Sequence, residues 1–114
     1  MDNRTRAWLY DILSAIQESN TYLKDEERNH KKYPDNLCIR RALERNMEIV
    51  GLALKNILDY LPTLKISNSE KIIDISQRLT NIDDPISDAI MKVALFEYFP
   101  KLKDEIHLMI IQSD

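Results

Sequence analysis

Few side chains in this sequence are equipped to move a proton, hold a metal or attack an electrophile. The two histidines, His30 and His107, have no Cys or Glu partner at metal-ligand spacing, and no HExxH, CxxC or glycine-rich phosphate loop occurs. No metal or cofactor is therefore expected. The single thiol, Cys38, has no second cysteine to pair with. A lone Ser, Cys or His becomes a nucleophile only with an adjacent base and an orienting group. Asp83, Asp84 and Asp88 form a small acidic group, in which Asp84 ahead of Pro85 reads as a helix N-cap and the others as water-facing. Two local cation clusters, Arg28/Lys31/Lys32 and Arg40/Arg41/Arg45, could meet a phosphate. Glu44 four residues after Arg40 and Glu48 three after Arg45 instead give the second cluster the spacing of a salt-bridged solvent face.

Charge and length narrow the classes further. At 114 residues the chain reads as one helical domain over 1–114, large enough for a single hydrophobic core. Residues 1–60 hold ten Lys/Arg against ten Asp/Glu and residues 61–114 six against nine, so the net −3 lies in the second half. No basic footprint spans the chain, and RNA binding is expected to be weak or absent. No apolar run approaches the ~20 residues of a membrane span and no charged-then-apolar leader is evident, so a cytoplasmic setting is expected. Glycine occurs once, at Gly51, and the four prolines are scattered, a composition for long helices.

The elements follow from apolar spacing. A first helix over about 3–23 places Leu9, Ile12, Leu13, Ile16 and Leu23 on one stripe, and KDEERNHKKY after it reads as a mobile linker ending at Pro34. A second, over about 35–61, aligns Ile39, Leu43, Val50, Leu54, Ile57 and Leu61. Gly51 inside it costs about 1 kcal/mol relative to Ala, which a close helix crossing would offset. Ser67 with Glu70 three residues on predicts a capping box for a third helix, about 68–80. Asp84-Pro85 predicts the start of a fourth, reaching about Tyr98, and Pro100 opens a short fifth. The expected fold is all-α, an antiparallel four-helix bundle with a short fifth helix. Ile49–Leu54 and the stretch from Ile86 to Phe99 carry more apolar residues than one seam needs, which predicts a two-fold homodimer with Leu95 or Phe96 as seam candidates.

The run from Arg6 to Ile16, the segment RRALERNMEIVGLALKNIL (Arg40 to Leu58) and the block KIIDISQRLTNIDDPISDAIMKVALFEYFPKLKDEI (Lys71 to Ile106) resemble successive helices of the HepT-like branch of the HEPN superfamily. The resemblance spans nearly the whole chain and implies a HEPN-like five-helix bundle that dimerises. It also implies a metal-independent ribonuclease toxin whose arginine, asparagine and histidine act across the dimer. The antitoxin would be a small nucleotidyltransferase that adenylylates a tyrosine two residues past the histidine.

Aligned without gaps on Asp84 and Ile86-Ser87-Asp88, the family's arginine falls on Ser76, its asparagine on Gln77, its histidine on Asn81 and its tyrosine on Asp83. Moving the register to use Arg78 puts the histidine position near Asp83, and no histidine lies between His30 and His107. The glutamate that follows the second-helix glycine in the family is replaced by Leu52. Metal-free RNA cleavage needs a titrating group and a phosphate cation. Asn81 does not titrate and Ser76 carries no charge. The expectation is a catalytically silent association subunit, alone or with a nucleotidyltransferase. The alternatives are a residual ribonuclease using Arg78, and a generic helical scaffold. The end of the third helix and the loop beyond it are expected to be exposed.

Overall fold

The computed structural model describes residues 1–81, 83 and 85–113, and every regular element among them is helical. α1 (Asn3–Tyr22) begins where the Asp2 carboxylate accepts the Thr5 N–H at 2.8 Å, satisfying a first-turn donor that has no partner inside the helix. α3 (Leu37–Tyr60) begins in the same way, with Asn36 accepting the Ile39 N–H at 3.1 Å. Tyr60, at the end of α3, donates its hydroxyl to the second Asp2 oxygen at 2.7 Å, while Asn46 near the start of α3 donates to Ser19 late in α1 at 3.2 Å. These two links require α1 and α3 to run antiparallel. Between them lies the core: Leu9, Ile12 and Ile16 from α1 against Leu43, Met47, Val50, Leu54 and Ile57 from α3, all buried. Leu61, expected inside, follows the helix as its C-cap and is 37 % exposed.

The polar stretch after α1 is not the structureless linker its composition suggests. Asp25–His30 forms α2, one and a half turns started by the Glu27 carboxylate accepting the Lys24 N–H at 2.6 Å. Arg28 donates back to the Asn20 carbonyl. Lys31 then closes the helix in the left-handed region (φ 50°), and its N–H and that of Lys32 return to the last carbonyls. Local capping thus formed a helix where apolar periodicity gave no signal.

α4 (Ser69–Leu79) starts without the expected capping box. Asn68 precedes it with φ 62°, a left-handed position that Asn tolerates better than most residues. The Ser67 N–H is taken by both oxygens of Glu105 at 3.1 and 3.2 Å, so a long-range carboxylate replaces the local one. α4 crosses α3 at Gly51, where an added Cβ would coincide with the Ser76 side chain and lie 3.4 Å from the Ile72 carbonyl. The close crossing expected at the only glycine is present.

Residues 88–112 form one helical run. α5 (Asp88–Val93) passes into a π-helical turn (Ala94–Tyr98) and then α6 (Phe99–Gln112). Its start differs from the expected Asp84-Pro85: Ser87 is the N-cap, accepting the Ile90 N–H at 3.2 Å, and Asp84 lies outside the described residues. Nor does Pro100 separate two helices. Proline has no N–H and its ring collides with the carbonyl four residues back. The wider turn before it, closed by the Phe99 N–H on the Ala94 carbonyl, absorbs that misfit and keeps the run continuous. The same turn rotates Ala94, Leu95 and Phe99 inward to 0, 3 and 1 % exposure. Leu95 is thus core and cannot lie on a dimer seam. Much of the apolar excess at 86–99 is covered within the chain. On α3, Val50, Ala53 and Leu54 are covered as well, but Ile49 at 37 % and Leu52 at 61 % exposure are not. Among the described residues no helix is long and apolar enough to cross a membrane.

Candidate functional site

Four of the positions singled out by the resemblance fall at the end of α4 and just beyond it: Ser76 and Gln77 line one groove with Gly51 and Leu52 of α3, and Asn81 and Asp83 meet in the turn that follows. Ser76 is buried at 6 % exposure, its hydroxyl donating to the Ile73 carbonyl at 2.7 Å and its side chain filling the notch above Gly51. The expectation that this helix end is exposed fails at Ser76. α4 is amphipathic and position 76 shares its inner face with Ile72 and Ile75. Gln77 is exposed and gives its carbonyl to the Thr80 N–H and hydroxyl. Asn81 is exposed and accepts the Asp83 N–H at 3.0 Å, a turn-forming role in which its amide is already used. Asp83 is exposed.

Arg78 points elsewhere. It lines a cleft between α4 and the α5/π-turn, with Nη1 3.9 Å from Asp74 Oδ2 and about a third of its side chain exposed. Lys71 enters the same cleft with its ammonium 5.7 Å from the centre of the Tyr98 ring. Ile75, Ala89, Ile90 and Val93 supply an apolar wall, and the volume is about 370 Å³. Neither histidine is on this lining: His30 is exposed at the end of α2 and His107 is half-buried on α6. The described walls combine two cations, a carboxylate and a phenol, and include no imidazole to carry protons.

Within the second cation cluster, Arg40 is committed to structure. Arg40, expected to pair with Glu44, instead reaches 48 residues along the chain to grip both Asp88 oxygens at 2.6 and 3.3 Å. It also donates to the Pro34 carbonyl at 3.0 Å and lies 4.4 Å above the Tyr33 ring. Asp88, expected merely to face water, is tied by this fork to α3, and the contact holds its carboxyl below the usual range. The Tyr33 ring is buried beneath Arg40 and its hydroxyl has no hydrogen-bond partner among the described residues. Burial, reinforced by the charge of Glu44, pushes this phenol up to about 12.

Sequence reasoning missed Lys71, Tyr98, Tyr33 and the Ser19–Asn46 pair. Asn46 was detectable in principle, because it interrupts the apolar stripe between Leu43 and Val50 and must find a buried partner. Tyr98 was not, since the π-turn that aims it shifts the helical register. Comparison with protein-family models, with curated proteins and with solved structures gives no match for this chain.

Proposed function

We propose that this chain is an association subunit without an RNA-cleaving centre, a HEPN-like helical bundle of the HepT-like kind whose working surface is the outer face of α3. The observation that carries the reading is Leu52, 61 % exposed on the middle of the longest helix, with Ile49 three residues away at 37 %. Residues three apart on a helix are surface neighbours, so the two form one apolar patch where Glu48 and Lys55 would otherwise set a polar face. A second copy of the chain is the partner of choice, because a two-fold contact pairs the patch with itself.

The silent part of the proposal is supported by Ser76. In the ungapped alignment this is the position of the family's arginine, and here it is a small uncharged side chain packed against Gly51 of α3. Asn81 and Asp83, at the histidine and tyrosine positions, are occupied with each other in a turn. The nucleotidyltransferase partner implied by the resemblance remains part of the proposal, and a gene for such an enzyme directly beside this one would favour it over a generic scaffold.

Incubating the purified native chain with structured and single-stranded RNA tests the silent reading. The RNA is expected to stay intact. Cleavage that disappears with Arg78→Ala, or with replacement of His30 or His107, would overturn it in favour of a residual ribonuclease.

A further inference from the structure

We propose that the outer face of α3 receives a second copy of the same helix laid antiparallel across it, in one register centred on Leu52. Resting on the association surface already proposed, this arrangement adds an orientation and a set of contacts. Residues three, four and seven positions from Leu52 share its face of the helix. Arg45 stands seven before it and Asp59 seven after, both exposed. Glu48 stands four before and Asn56 four after, both half-buried. Ile49 and Lys55 stand three to either side. A two-fold axis through Leu52 and perpendicular to α3 carries each position onto its counterpart. Arg45 then faces Asp59 of the second copy, the Glu48 carboxylate faces the Asn56 amide, and the Lys55 stem lies over Ile49, while Leu52 meets itself. Each of the unlike contacts occurs twice.

Charge decides the direction. A parallel two-fold pair would bring each residue beside its own copy, setting Arg45 against Arg45, Glu48 against Glu48 and Asp59 against Asp59, all repulsive contacts. Reversing one helix turns the repulsions at Arg45 and Asp59 into two ion pairs. Asp59 can accept one, because Lys55 Nζ engages only its Oδ2, at 2.9 Å, and a carboxylate has a second oxygen to offer. Arg45 suits the role, since a guanidinium presents a fork of donors to a carboxylate. The shape of the face agrees with the charges. A groove of about 260 Å³ lies between α3 and α4 beside Leu52, lined on the α3 side by Glu48, Gly51, Leu52 and Lys55. Reversal places Ile49 of the second copy between Leu52 and Lys55, at the mouth of that groove. Ile49, 37 % exposed in the single chain, thereby gains an apolar seat.

Charge reversal and cross-linking of the full chain test the orientation. Arg45→Asp and Asp59→Arg should each weaken the dimer about tenfold by light scattering over a dilution series, because each turns two ion pairs into two like-charge contacts. The chain carrying both reversals should return to within about threefold of the native dissociation constant. Both positions are exposed, so the helical circular dichroism should be retained throughout. In a Cys38→Ser background, an equimolar mixture of Arg45→Cys and Asp59→Cys chains should be joined by a short bismaleimide. Arg45→Cys alone should not be joined to itself, because the two copies of position 45 lie about 21 Å apart along the helix axis. Single reversals that leave the dimer undisturbed, a double reversal no tighter than the singles, or Arg45→Cys joined to itself would overturn the antiparallel register and leave association through Leu52 standing. A native chain that stays monomeric up to the highest concentration used would overturn both.

Discussion

Ser76 occupies the space that a Cβ on Gly51 would need, so these two residues fix how closely α4 can approach α3. Gly51→Ala gains about 1 kcal/mol of helix propensity but forces the helices apart or Ser76 out of its rotamer, an overpacking cost of about 1 to 3 kcal/mol. A net loss is expected in urea unfolding, and Ser76→Gly in the Gly51→Ala background should recover most of it. Ser76→Arg, which would place an arginine where the HepT-like resemblance puts one, should destabilise more than Gly51→Ala, since the longer side chain must leave the contact that Ser76 makes with Gly51. A Ser76→Arg protein as stable as the native one would show that the notch opens readily.

Tyr33 predicts an alkaline effect with a definite sign. Its phenol titrates at about 12 in the fold against an ordinary 10.0, so the stability it contributes is fully present below 10.0 and falls as pH rises through about 12. Tyr33→Phe deletes a buried hydroxyl that has no partner among the described residues, and should be neutral or stabilising by about 1 kcal/mol near neutral pH. Thermal melts of both proteins across the alkaline range should diverge, the native chain losing stability that the variant keeps. Parallel curves would contradict this placing of the hydroxyl.

Asp88 and Asp2 predict the acid limb. The Arg40 guanidinium depresses the Asp88 carboxyl, and the Thr5 N–H followed by the Tyr60 hydroxyl lowers Asp2 to about 2 from an ordinary 3.8. A depressed folded-state value gives stability that is present above 3.8 and lost as pH falls through the lowered one. Asp88→Asn and Asp2→Asn should each flatten the melting temperature against pH in that window, and carboxyl chemical shifts should place Asp2 near 2. An Asp88→Asn curve parallel to the native one would show that the Arg40 fork breaks in solution.

The main helices were legible because their apolar residues recur at helical spacing, while the side-chain N-caps of α1 and α3, Asp2 and Asn36, went unread. What escaped the sequence was decided by contacts between distant residues. Glu105 caps Ser67 from α6, in place of the local box that Glu70 suggested. Arg40 chose Asp88 over Glu44, gaining a bidentate geometry that the nearer carboxylate did not take. Pro100 signalled a break, and the π-turn made it unnecessary. For the site, position 76 was legible as a departure from the HepT-like pattern that the sequence resembles, but its burial depended on the register of α4 against Gly51.

The proposed association surface is tested most directly by the molar mass of the native chain and of Leu52→Glu in solution, measured by light scattering at micromolar concentration. Leu52 is exposed, so the charge should leave the fold intact, whereas Leu95→Glu at a core position should unfold the chain instead of merely separating it. The native protein should run at twice the 13.4 kDa chain mass and a folded Leu52→Glu at the single mass. A native chain that runs at 13.4 kDa, or a Leu52→Glu variant that stays at twice that mass, would contradict the proposed surface.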